Sequence, residues 1–246
     1  MKTAYHKWLR PNLEQEMELK IYGESGTPVL VFPAMGGRFF EFEDFGMIKA
    51  CEPYIEQEKF QIFTVDSVDN QSWLNIDAVP PERAARHEQY DRYVCEEVIP
   101  FISSQSKSNQ KPFTAGCSMG GYHAANFFFR HPDLFGGMIC LSGVLSLRIF
   151  VGDYIDDIIY YNSPLFYLPN LTDEYYLNLF REGKIFICVG QGAWEEPMIM
   201  DAREIQKILL KKKVPAWVDF WGFDVNHDWV WWRKQFPYIL SQVCSL

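Results

Sequence analysis

The chain has 246 residues, 48% of them hydrophobic and 17% aromatic, enough for one large domain with a substantial core. A formal net charge of -9 argues against nucleic acid or an anionic membrane as a partner. No apolar run approaches the ~20 residues of a membrane span, and residues 1–8 lack the apolar core of a signal peptide. The six cysteines form no C-x-x-C pair and no metal-like cluster with histidine. Cys117, Cys140 and Cys188 sit in or beside apolar strand-like runs, as reduced cysteines do in a core, so a cytoplasmic location is expected.

Along the chain, residues 19–23 and 29–32 read as an early strand pair across a Gly/Ser/Pro turn, and residues 60–65 as a third strand. Residues 82–104 carry helical spacing, with Tyr90, Val94, Val98 and Ile102 on one face. A short strand follows at 111–115, then a helix at 121–130 and a strand at 137–142. Residues 145–173, rich in Asp, Tyr, Asn and Pro, read as a lid-like or pocket-forming excursion over the sheet. The strand at 184–189, a helix near 198–212, a strand at 216–220 and a helix at 229–243 complete the order. Strands separated by helices imply a mostly parallel central sheet with helices on both faces, in a single domain spanning residues 1–246. Ligands of such sheets bind at the carboxyl ends of the strands.

Gly116-Cys117-Ser118-Met119-Gly120 lies between the strand at 111–115 and the helix at 121–130. A serine on a sharp strand-to-helix turn stands proud of the sheet with its hydroxyl exposed, and small flanking residues let strand and helix pass closely. The bland alternative is a glycine-rich turn that only packs a helix onto a sheet. A nucleophilic serine needs a base, and the base needs an orienting acid. Of the five histidines, His6 is near a terminus, His87 lies in a polar helical stretch, His123 faces away from the turn and His131 precedes a proline. His227 sits in a polar loop after the last strand, at the carboxyl edge, and is the expected base. The acid belongs in the loop after residues 184–189, where Glu195 is favoured, Glu196 is second and Asp201 more distant. An oxyanion needs two donors. Met119 N–H is one, and Met35 is favoured as the other, with Ala34 and Gly36 as alternatives on the Pro33-Ala34-Met35-Gly36-Gly37 loop.

The motifs resemble those of a known family. Gly116-Cys117-Ser118-Met119-Gly120-Gly121 is similar to the G-x-S-M-G-G of the α/β-hydrolase esterase group that includes S-formylglutathione hydrolases, feruloyl and acetyl xylan esterases and mycolyltransferases. His131-Pro132-Asp133-Leu134-Phe135 and Leu141-Ser142-Gly143 resemble the stretch after that group's elbow helix. Gln191-Gly192-Ala193-Trp194-Glu195 is similar to its Q-G-x-x-D, and His227-Asp228-Trp229 with Trp232 to its H-D-W-x-x-W. Glutamate stands where the group has aspartate, and Pro-Ala-Met-Gly-Gly stands where many relatives have H-G-x-G-G.

The resemblance implies an α/β-hydrolase fold and a serine carboxylesterase. It would act on a small or medium carboxylic ester through an acyl-enzyme on Ser118, with neither metal nor organic cofactor. Acyl transfer by the same residues is one alternative. The other is a non-catalytic scaffold, in which Trp217, Trp221, Trp229, Trp231 and Trp232 form a sticky face suited to a homodimer. Tyr154, Tyr161 and Trp194 are composed to line a modest apolar pocket.

Overall fold

The computed structural model describes residues 1–244, in which eight strands form one sheet. These are β1 (Thr3–Arg10), β2 (Gln15–Tyr22), β3 (Thr27–Phe32), β4 (Phe60–Val65), β5 (Phe113–Cys117), β6 (Gly137–Leu141), β7 (Lys184–Val189) and β8 (Trp217–Phe220). Their spatial order is β1-β2-β4-β3-β5-β6-β7-β8. β2 runs antiparallel to β1 and β4, and every pair from β4 to β8 is parallel. The early pairing expected between residues 19–23 and 29–32 is therefore wrong. β4 stands between those two strands, because a parallel neighbour arrives only after a helical crossover. β1, an exposed edge strand, carried no alternating apolar signal.

The period-2 alternation of each strand supplies two cores. In β3, Leu30 and Phe32 face one side with Phe63, Val65, Met138 and Ile187, while Val29 and Val31 face the other with Ile62, Ala115, Ile139 and Phe186. All of these side chains are buried, each contributing about 2 kcal/mol by removal from water. The first face is covered by α3 (Pro80–Tyr93), α4 (Ile99–Gln105), α5 (Met119–Arg130), α9 (Glu174–Glu182) and α10 (Glu196–Lys211). Between α3 and α4 the chain passes through a π turn at Val94–Val98. The second face is covered by α2 (Met47–Glu56) and α11 (Trp229–Cys244). A short α1 (Glu41–Asp44) precedes α2.

The segment expected to cross the sheet's carboxyl edge folds into three short helices, α6 (Arg148–Val151), α7 (Asp157–Tyr161) and α8 (Pro164–Tyr167). Leu147, Val151 and Ile159 pack with Met119 and Tyr122 of α5 and with Trp73, so the segment is anchored over the start of that helix. No helix among the described residues is long and apolar enough to cross a membrane.

The junction of β5 and α5 is tightly packed backbone against backbone. A Cβ on Gly116 would collide with the Gly120 backbone, and a Cβ on Gly120 would collide with the Phe32 carbonyl and lie 2.8 Å from that of Pro33. Gly120→Ala is expected to cost about 3 kcal/mol by overpacking against backbone that cannot move aside. Thermal unfolding followed by circular dichroism should show Tm lowered by about 6–12 °C.

Candidate active site

Ser118 follows the last residue of β5 and caps α5 with φ 55° and ψ −118°. A positive φ is rare for a serine, and strain of this kind, about 1–3 kcal/mol, persists where packing over-determines it. The glycine contacts at 116 and 120 do so here. The side chain leaves the sheet at its carboxyl edge while Cys117, one residue earlier, is buried in the second core.

Two loops at the same edge carry the remaining candidates. Residues 190–195 leave β7, and residues 221–228 leave β8. They are bonded to each other by Gln191 N–H to Gly222 O at 3.2 Å, Gly192 N–H to Val225 O at 2.8 Å and His227 N–H to Ala193 O at 3.0 Å. Ala193 N–H also donates to Asn226 Oδ1 at 2.8 Å. Asp228 accepts from Val230 N–H at 2.9 Å and so caps the start of α11. These bonds fix His227 relative to Glu195 before any side-chain contact is counted.

His227 Nε2 lies 2.9 Å from Ser118 Oγ, and His227 Nδ1 lies 3.4 Å from Glu195 Oε2. A carboxylate can only accept, so Glu195 selects the tautomer with the proton on Nδ1, and Nε2 accepts from the serine hydroxyl. The 3.4 Å separation is long for a charge-assisted bond, which averages about 2.7–2.9 Å. Such bonds commonly tighten only once substrate is held.

Glu195 is fully buried, and its other oxygen, Oε1, accepts from Ser142 Oγ at 2.7 Å. Ser142 Oγ in turn accepts from the Trp232 indole N–H at 3.2 Å. Trp232 also presents its ring edge-on to His227, with centroids 4.8 Å apart. Ser142 and Trp232 were visible only inside motifs. The signals were the small residue following β6 and the tryptophan one helical turn into α11, and neither says which carboxylate it serves.

The other expectations resolve as follows. Glu196 is exposed at the first position of α10, beside Glu195 in sequence but turned to solvent. Asp201 accepts from Leu145 N–H at 2.6 Å, and burial raises its carboxyl above the ordinary aspartate value; it ties the excursion to α10. Ala34 is corrected as an oxyanion donor, because its N–H is spent on Glu41 Oε2 at 2.7 Å. Met119 is the first residue of α5, where backbone N–H groups have no intrahelical partner. Met35 lies in the turn after β3, and among the described residues nothing accepts from its N–H.

His87 lies on α3, in the helical stretch read as polar. It is fully buried, stacked on His123 with centroids 5.6 Å apart, and burial holds its imidazole well below the ordinary value. His123 Nε2 lies 2.8 Å from Asp69 Oδ1, and His131 Nε2 lies 2.9 Å from Asp91 Oδ2. Of the tryptophans expected to share one face, Trp217 and Trp221 meet on Tyr238, Trp229 touches Trp232, and half-buried Trp231 lies under Lys234. Trp232 is buried, Trp229 stacks on Phe45, Trp221 packs on Tyr238 and Trp217 is exposed on edge strand β8. Trp194 is 79% exposed on the loop that carries Glu195, and Tyr161, also exposed, touches Tyr160 and Tyr167.

Residues 12–243 match the family described as "Esterase: Putative esterase". The chain belongs to this esterase family. It is a serine hydrolase of the α/β-hydrolase fold. Among solved structures, a ferulic acid esterase is similar at TM-score 0.75 and 17% identity, covering 97% of this chain and 96% of that one. An S-formylglutathione hydrolase from Agrobacterium tumefaciens is similar at TM-score 0.76 and 12% identity, covering 98% and 93%. A second S-formylglutathione hydrolase, from Staphylococcus aureus, is similar at TM-score 0.69 and 15% identity, covering 98% and 96%. No curated protein sequence matches the chain.

The two glutamates can be separated by substitution. Glu195→Gln is expected to lower kcat for ester hydrolysis by about 10³–10⁴, the scale of losing the correct imidazole tautomer. Glu196→Gln should leave kcat within about twofold, and Ser142→Ala should fall between them. Steady-state kinetics on a chromogenic ester checks all three.

Proposed function

We propose that this serine hydrolase is a carboxylesterase that cleaves small or medium carboxylic esters through an acyl-enzyme on Ser118. The observation that carries the reading is the 2.9 Å approach of His227 Nε2 to Ser118 Oγ, with buried Glu195 behind the imidazole.

Ser118 Oγ attacks the ester carbonyl as His227 takes its proton, and the tetrahedral oxyanion is held by Met119 N–H and Met35 N–H. Glu195 keeps the imidazole in its tautomer and stabilises the imidazolium that forms. His227 then protonates the departing alcohol. Water, deprotonated by the same nitrogen, attacks the acyl-enzyme and returns Ser118 with release of the acid. Every step moves one proton through His227 Nε2, so the reaction needs no group beyond these side chains and backbone amides.

The anchored excursion, with Leu147, Val151 and Ile159 packed against Met119, forms one wall of the acyl pocket in this reading. Trp194, exposed next to the acid, supplies an apolar surface beside it. The free cysteines suit a reducing compartment, and the protein is assigned to the cytoplasm on that ground.

p-Nitrophenyl esters from acetate to octanoate test the proposal. Turnover should fall as the acyl chain lengthens, and Ser118→Ala should lower kcat by about 10⁴ or more. A fluorophosphonate should label the native chain once, at Ser118. Full turnover by Ser118→Ala would exclude the mechanism.

A further inference from the structure

The loop that follows β3 is held by one carboxylate. Ala34-Met35-Gly36-Gly37 is a tight turn closed by Gly37 N–H to Ala34 O at 2.9 Å, with Gly36 at φ 72°. At one end the loop is pressed on the nucleophile's turn, since Gly120 leaves no room for a Cβ beneath the Phe32 and Pro33 carbonyls. At the other end it is fastened to Glu41. Glu41 Oε2 accepts from Ala34 N–H at 2.7 Å, and the carboxyl lies so close to Gly37 that a Cβ there would overlap it. Glu41 is the first residue of α1, whose Phe42 is buried in the second core with Trp232 and Phe236, so the carboxylate is mounted on a fixed element. Burial raises the Glu41 carboxyl above the ordinary glutamate value, and among the described residues no side-chain cation pairs with it. A group kept partly desolvated at a cost, with one backbone amide as its acceptor duty, calls for a purpose.

We propose that Glu41 is a positioning residue for the oxyanion donor on this loop: by binding Ala34 N–H and bracing Gly37, it fixes the turn so that Met35 N–H is set for the oxyanion. The inference rests on the serine-esterase reading above. Glu41 touches neither substrate nor Ser118 and acts only through the turn. Its bond also decides which amide serves, because spending Ala34 N–H on the carboxylate leaves the next amide, Met35, unpaired among the described residues. A donor that is misdirected rather than deleted should be felt in the transition state and not in ground-state binding.

The test compares Glu41→Gln, Glu41→Leu and Gly37→Ala with the native enzyme on p-nitrophenyl acetate. A glutamine oxygen still accepts from Ala34 N–H, so Glu41→Gln should keep kcat within about threefold. Glu41→Leu has no acceptor, and Gly37→Ala pushes the carboxyl aside. Both should lower kcat about 10–100-fold, with KM within about threefold, which is part of the 10²–10³ that one oxyanion donor is worth. Inhibition by a small boronic acid, whose adduct on serine is tetrahedral, should weaken in proportion to kcat. Hydrogen exchange of the Ala34 amide supplies a readout independent of turnover: it should be protected in the native chain and in Glu41→Gln, and exposed in Glu41→Leu. Native kcat in both Glu41→Leu and Gly37→Ala would overturn the proposal, as would a Glu41→Gln enzyme as slow as Glu41→Leu. If Glu41→Leu does not fold, the Gln and Gly37 variants still decide it. A native chain with no Ser118-dependent turnover would instead defeat the esterase reading, and the exchange measurement would then decide separately whether Glu41 holds the loop.

Discussion

The site depends on the contact between the Gly120 backbone and the carbonyls of Phe32 and Pro33. This contact couples the end of β3 to the junction of β5 and α5, some eighty residues further along the chain. Because the helix is pressed onto the neighbouring strand, Ser118 is forced to φ 55° and its hydroxyl is carried clear of the sheet. The same contact places the loop after β3 alongside the turn that carries Ser118. Strain at the serine is therefore a by-product of packing on both faces of the sheet, which the two cores hold in place.

Around this fixed point the candidate catalytic groups are arranged in two tiers. Ser118, His227 and Glu195 make the direct contacts. Behind them, Trp232 donates to Ser142, Ser142 to Glu195, and the β7 and β8 loops are bonded backbone to backbone. The second tier resolves a conflict of burial. A carboxylate removed from water needs donors for both oxygens, and Glu195 has Ser142 on one and His227 on the other. The hydroxyl between Trp232 and Glu195 is satisfied as well, since it accepts once and donates once.

Much of this was legible in the sequence, for identifiable reasons. Ser118 stood out because a turn this sharp requires glycine at 116 and 120. His227 stood out because the other histidines had local explanations, and Glu195 followed from chain order. The helix from Tyr90 to Ile102 was readable because its apolar spacing is local. The readings that failed depended on long-range adjacency. Residues 19–23 and 29–32 looked like neighbours because a short turn joins them, yet β4 separates them. The polar neighbours Arg86, Glu88 and Gln89 gave no sign that His87 is buried together with Arg83, Tyr90 and Asp91 of the same helix. The Ser142–Glu195 bond spans 53 residues and the Trp232–Ser142 bond spans 90, distances at which no spacing rule operates. Ala34 could be separated from Met35 as a donor only by seeing where Glu41 falls.

Cys117 directly precedes Ser118, and the alternation of β5 sends its thiol into the second core while Ser118 goes outward. Burial raises that thiol well above the ordinary cysteine value, which keeps it protonated and unreactive while the strand is in place. Two adjacent residues thus answer to different chemistry. An electrophile selective for activated serine senses the assembled turn, and alkylation of Cys117, read apart from the exposed Cys244, senses its opening. Cys117 is a built-in marker of local unfolding one peptide bond from the reacting atom, and its modification would record how often the elbow comes apart without perturbing it beforehand.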